Sequence, residues 1–326
     1  MSLDADHIVD RRRMRRKLTF WRVLAVVVAI VAIVAAAVAF GLRGFGETSR
    51  PQIARVTIRG VIRGDQERVE ALRALSKQRN ARAVIVHVDS PGGTTAGSEQ
   101  LYDALRRMSE SKPTVVVVDG MAASGGYIAA MAADHIIAQR TSLVGSVGVL
   151  FQYPNVADLM KTIGVQVETI RSTPLKAAPD GFGPTSPEAR AALESIVMDS
   201  YAWFRGMVQD RRKLAGQDLD RVADGRVFTG RQAIDLKLID EIGNEQSALD
   251  WLEKQKGVDP KLPVRDWRLA PRLSQLSFLH LGAAAMLDAA GLGSLAARFA
   301  DTGAAQAFDR LNLDGLLALW HPPVAN

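Results

Sequence analysis

Cysteine is absent from this chain of 326 residues. That one absence excludes disulfide frameworks, thiolate metal sites and thiol catalysis. A broad basic surface is missing as well. The net charge is +6, but residues 1–22 hold seven Lys or Arg against three Asp, and the other 304 residues hold 34 against 32. Such a balance is not the footprint of a nucleic-acid binder, and no nucleic-acid partner is expected. No repeat of fixed period is visible, and no residue cluster asks for a metal or another cofactor. What is present is length for one large or two modest domains. Hydrophobic residues make up 48% of the chain, enough for a sizeable core.

The first fifty residues read as an anchor. "RRRMRRK", residues 11–17, carries six positive charges, and Val23–Leu42 then runs for 20 residues without one. That is the length an α-helix needs to cross about 30 Å of hydrocarbon. A cleavable signal peptide, with "AVAF" as its small-residue site, is one alternative, although the usual apolar region is shorter, at roughly 7–15 residues. A buried helix of a soluble core is another, disfavoured because apolar residues surround the whole helix. The basic residues before the span place the N-terminus in the cytoplasm and residues 43 onward outside. The expected organisation is a basic tail (1–22), a transmembrane anchor (23–42), a turn-rich linker (43–52), a catalytic or binding domain (53–257) and an Ala/Leu-rich extension (258–326) of unassigned role.

In the soluble part, strands alternate with short helices. "IARVTIRGVI" alternates like a strand, and Val69, Leu72 and Leu75 have helical spacing. "AVIVHVD" and "PTVVVVDG" are continuous apolar strands, each followed by a glycine-containing turn and a helix. Residues 164–170 supply a further expected strand. A long helix starts near Pro187, with Glu188 in its first turn. This alternation predicts a layered α/β domain.

The stretch "MAASGGYIAA", residues 121–130, puts one hydroxyl, Ser124, where a strand gives way to a helix. Two readings fit. Ser124 caps the helix and "SPGG", residues 90–93, is only a turn. Alternatively Ser124 is a nucleophile, with small neighbours that let a substrate backbone approach and backbone N–H groups free to bind an oxyanion. A nucleophilic serine needs a base. Of five histidines, His7 precedes the anchor, and His280 and His321 lie in the extension. His87 sits in an apolar strand as a hydrogen-bonded core residue would, and His135 starts a strand. "GMAAS" also lacks the first glycine of a G-x-S-x-G elbow. A Ser-His-Asp triad is poorly supported.

Lysine is the other base. It must lose its proton near neutral pH, against an ordinary value of about 10.4, and apolar burial helps it to do so. Most of the ten lysines, Lys112 among them, lie in polar surroundings. Lys176 lies in "STPLKAAPDGFGP", an irregular segment between the expected strand and the long helix. Its two readings are a surface charge and a general base.

Taken together, "VDSPGG", "DGMAASGGYIAA", "SLVGSVGV", "PLKAAPDGFGPTSPEAR" and "DGRVFTGRQAIDLKLIDEIG" resemble the signal peptide peptidase A (SppA) family of membrane-anchored serine peptidases, in its short, single-unit form. The resemblance covers roughly residues 52–250. It implies a Ser-Lys dyad of Ser124 as nucleophile and Lys176 as general base. Gly93 and Gly125 match the oxyanion-hole positions, and Ser146 a serine that positions the lysine. It also implies the fold shared by the Clp protease subunit and crotonases, built from strand-strand-helix turns. The implied assembly is a ring or dome of copies in which adjacent units complete each site. Remnant signal peptides are the implied substrates, and a bacterial inner membrane the implied location, with the catalytic domain outside the cytoplasm. The sequence departs from relatives at Pro174-Leu175, where an aromatic residue is common. Two other classes fit the same residues: a crotonase-like acyl-CoA enzyme that does not need Ser124, and a non-catalytic membrane-tethered scaffold.

Overall fold

The computed structural model describes residues 20–24, 27, 50–269 and 317–319. The chain divides into two units, residues 1–51 and 52–326. In the first, Phe20–Leu24 are helical, and the rings of Phe20 and Trp21 meet edge to face at 6.2 Å. The expected span at 23–42 lies outside the described residues, apart from Val23, Leu24 and Val27. Among the described residues no helix is long and apolar enough to cross a membrane.

The second unit is built on an eight-stranded sheet, mostly parallel. Its centre is three strands: β1 (Gln52–Arg59), β2 (Ala81–Ser90) and β4 (Thr114–Ala123). β2 pairs with β1 on one side and with β4 on the other, both parallel. The valine-rich runs are explained by burial on both faces. Val84, Val86 and Val88 enter one core with Leu72, Leu105 and Ile128. Ala83, Ile85, Val115 and Val117 enter a second with Ala248 and Leu252. Helix α1 (Gln66–Lys77) buries Val69, Leu72 and Leu75, the three residues whose spacing predicted it, and Asp65 caps its start. Helix α2 (Thr95–Ser111) begins directly after β3 (Gly92–Thr94), with Thr94 as its cap.

β4 has two partners in succession. Its first half pairs with β5 (His135–Ala138), and its last residues, Met121–Ala123, pair with β6 (Leu143–Gly145). The short helix α3 (Gly125–Ala130) therefore leaves β4 inside the fold, with every residue buried. β7 (Val227–Thr229) runs antiparallel to β6, β8 (Glu241–Ile242) pairs with β5, and β9 (Val264–Asp266) pairs with β1. The sheet thus takes an edge strand from the stretch after residue 257, and Trp267 donates its indole N–H to the Ala71 carbonyl at 3.2 Å. The remaining helices are α4 (Ala157–Thr162), α5 (Pro187–Arg212), α6 (Gly216–Val222), α7 (Gly230–Asp235) and α8 (Glu245–Lys256). α5 starts as its sequence predicts, with Ser186 as cap and Pro187 in the first turn. β10 (Leu317–Leu319) lies antiparallel to β3.

Two expectations need correction. Residues 164–170 do not form a strand. Val165 and Val167 are 44% and 46% exposed and Ile170 is 101% exposed, so the apolar pattern finds no surface to bury against among the described residues. Lys112 is not a solvated lysine. Its Nζ donates to the carbonyls of Gln78 and Ala81 at 2.8 and 2.9 Å, and burial pushes its pKa down. His87 is hydrogen-bonded, as expected of it: Nδ1 lies 2.9 Å from Asp119 and Nε2 2.7 Å from Glu245. Arg55 grips the same Glu245 carboxylate with Nε at 2.7 Å and a terminal nitrogen at 2.6 Å. This network ties β1, β2, β4 and α8 together.

Candidate active site

Ser124 follows the last residue of β4 and precedes the first of α3. Its φ of 53° and ψ of −116° form a conformation that costs a residue with a Cβ on the order of 1–3 kcal/mol. The surroundings enforce it. Its N–H donates to the Gly145 carbonyl at 2.7 Å, and its own carbonyl accepts from Tyr127 and Ile128 at 2.9 and 3.0 Å. The hydroxyl does not cap α3, which removes the simplest structural explanation for a serine here. The side chain is buried, at a strand-to-helix turn whose backbone is strained.

Gly125 is the first residue of α3, so its N–H has no partner in the helix and lies beside Ser124. Gly126 permits close packing: a Cβ there would lie 2.6 Å from the Ser90 carbonyl oxygen. Ser90 is fully buried and organises the glycine loop. Its hydroxyl donates to the Gly60 carbonyl at 2.7 Å and accepts from the Gly92 N–H at 3.1 Å. The Gly92 carbonyl and the Thr94 N–H are both taken by Ile62, at 2.8 and 2.9 Å. Successive strand residues turn their peptide groups to opposite edges. The Gly93 N–H therefore faces away from Ile62. Only glycine fits at 93, because a Cβ would lie 1.7 Å from the Ile62 carbonyl oxygen.

Ser146 follows Gly145, the residue whose carbonyl holds the Ser124 amide. Its own N–H donates to Arg226 at 2.8 Å, its φ is 54°, and it is 7% exposed. Gly145 has a φ of 105° and packs under Phe228. The Gly145–Ser146 peptide group thus joins Ser146 to Ser124, and Ser90 links the Gly93 loop to the start of α3.

Lys176 is not brought to them. It is exposed, and no hydrogen bond joins it to Ser124 or Ser146 among the described residues. Its loop is nevertheless built. Arg171 pairs with Asp180 at 2.5 Å, closing the residues between them, and Asp180 accepts from the Phe182 N–H at 2.9 Å. That backbone bond, with the Arg171 charge, holds the Asp180 carboxyl below the usual carboxylate range. Sequence reading passed over Ser90, Arg171 and Asp180. Ser90 sits inside a quoted motif, so its position was the available signal. The partnership of Arg171 and Asp180 leaves no local signature.

Comparison with known proteins places the chain. The profile of peptidase family S49 matches residues 106–259, a span that contains Ser124, Ser146 and Lys176. The Synechocystis protein slr0021, named as an inferred protease, is 35% identical over 218 residues, which are 66% of this chain and 78% of that one. "Serine protease SPPA, chloroplastic" of Arabidopsis thaliana is 32% identical over 60% of this chain and 29% of its own length. An Enterococcus faecium protein, named as an inferred signal peptide peptidase SppA, is 30% identical over 57% of this chain and 54% of its own. A solved mutant of the 1510-N membrane-bound stomatin-specific protease aligns with 68% of this chain and 99% of that one, at 14% identity and a TM-score of 0.42. The fold and the matches define a mixed α/β serine-type protease. The chain belongs to peptidase family S49, the SppA family.

Proposed function

We propose that this chain is a membrane-anchored endopeptidase in which Ser124 attacks the scissile carbonyl and Lys176 takes its proton. The Ser124 Oγ bonds to the carbonyl carbon, and the oxyanion is received by the N–H groups of Gly93 and Gly125, typically worth about 3 kcal/mol each. The proton on Lys176 then goes to the leaving amine, and water releases the acyl group by the same route. Ser146 positions the lysine. The observation that carries the reading is Ser124 itself, a buried serine at φ 53° that does not cap the helix it precedes.

Lys176 comes from a second copy of the chain. Its exposed loop is flanked by apolar groups that are left exposed among the described residues: Ile163, Val165, Val167, Ile170, Leu175 and Phe182. Burial among apolar groups helps a lysine to give up its proton. A neighbour would cover the apolar face and dry the lysine in one step, closing a ring in the Clp-like manner. The uncharged run at 23–42 behind six basic residues supports single-pass anchoring, with the N-terminus inside and the peptidase outside the cytoplasm. Remnant signal peptides are the substrates this location offers, in keeping with the names of the relatives.

The test is a set of three variants assayed for peptide hydrolysis. Ser124→Ala and Lys176→Ala should each lose orders of magnitude in kcat, and the double variant little more. Additive losses would show that the two residues do not act as a unit.

A further inference from the structure

β10 lies between two edges. On one side Leu317–Leu319 runs antiparallel to Gly92–Thr94, with Ala318 opposite Gly93. On the other, Leu317 and Leu150 exchange both peptide hydrogen bonds at 3.0 Å. The two contacts alternate as a pleated strand requires. Leu317 addresses Leu150, and Ala318 addresses Gly93 on the edge that Ile62 leaves free. The first edge belongs to the site already described, and the second follows it in the chain. Gly93 is an oxyanion-hole residue under the proposed function, and Leu150 lies four positions beyond Ser146.

An extended peptide held for cleavage needs such a slot, where it adds as a strand to backbone groups on its two sides. In this chain the slot is filled from within, by a segment that the linear sequence puts far from it. We propose that Leu317–Leu319 is a resident strand that occupies the peptide slot of this site and competes with substrate. The inference rests on the reading of the site given above. The consequence is quantitative: a slot filled nine-tenths of the time weakens apparent substrate binding about tenfold, with the chemical step untouched.

The experiment uses the full-length chain and the variants Ala318→Pro and Leu317→Pro. Each removes one strand N–H, the first on the Gly93 edge and the second on the Leu150 edge. Amide hydrogen exchange at Gly93 and Leu150 is read together with kcat and KM for a synthetic ten-residue Leu/Ala-rich peptide. Exchange at Gly93 and Leu150 should rise about tenfold or more in both variants, while β2 and β4 amides stay protected. KM should fall several-fold with kcat unchanged. Unchanged exchange at both positions would overturn occupancy. Faster exchange with unchanged KM would overturn competition. Loss of protection in β2 and β4 would make the strand part of the fold and overturn the proposal as well. The exchange readout does not use Ser124. Failure of the catalytic reading is therefore separate, and would show as a Ser124→Ala variant that still cleaves the peptide.

Discussion

The Ser124 end of the sheet and the Lys176 loop are opposites in construction. Around Ser124 the chain completes its own environment: side chains are buried, peptide groups are assigned, and glycines sit where a Cβ would strike backbone. Around Lys176 one ion pair closes the loop, the lysine is exposed, and apolar groups face outward. The difference teaches that the Ser124 half is finished by folding, whereas the Lys176 half, which the proposed function makes the base's, is left uncovered by the described residues. Strain at Ser124 can be held only by a rigid frame. A lysine that must be dried can instead be carried on an arm and completed by contact.

The sharpest way to break this comparison is to mix two dead proteins. If Lys176 serves the Ser124 of a neighbour, Ser124→Ala and Lys176→Ala chains assembled together at equal amounts form some intact sites. With random neighbours in a ring, about a quarter of the sites carry both residues, so about a quarter of wild-type hydrolysis returns. No recovery after verified co-assembly would place the lysine in the same chain as its serine.

The next effect strikes the finished half alone. Gly93→Ala puts a methyl against the Ile62 carbonyl and must move the strand that holds the Gly93 N–H. The expected loss is about 100-fold in kcat, the scale of one oxyanion donor. A variant with normal kcat would remove Gly93 from the oxyanion hole. A smaller loss is expected from the exposed half. Ile170→Asp should leave thermal unfolding of the subunit nearly unchanged, because Ile170 touches no core. It should weaken assembly, read as a shift toward monomer in sedimentation, with activity falling in proportion. Unaltered assembly would mean that the apolar face is covered by something other than another copy.

How much of this was legible in the sequence follows the same divide. Continuous valine runs named β2 and β4, and the spacing of Val69, Leu72 and Leu75 named α1, because these patterns express burial inside one chain. Residues 164–170 carry Val165, Val167 and Ile170, yet form no strand, since the local pattern cannot say whether a partner surface exists. Ser124 could be singled out as a lone hydroxyl among small residues. Its φ of 53° could not, because that angle is imposed by Gly145, a residue more than one strand away. Nor could β10 be read: its pairing with β3 depends on a free strand edge, which only the assembled sheet creates.

The smallest expected effect separates the halves by acid. Glu245 is held by Arg55 first and by His87 second, and the Arg55 hydrogen bond keeps its carboxyl below the usual glutamate range. A carboxyl depressed in the folded state stabilises the fold above its unfolded value, about 4.3, and loses that contribution as pH falls through its folded value. The side chain is 28% exposed, so solvent screening limits the gain to about 1 kcal/mol or less, a few degrees in Tm for a domain of this size. Glu245→Gln should therefore lower Tm slightly at pH 7 and match the wild type near pH 3. Asp180 is depressed as well, but it sits on the exposed loop. Asp180→Asn should move Tm less than Glu245→Gln across the same range and act mainly on hydrolysis, by loosening the segment that carries Lys176. If Asp180→Asn lowered Tm as Glu245→Gln does, the loop would be part of the folded frame, and the distinction between a finished half and a waiting half would fail.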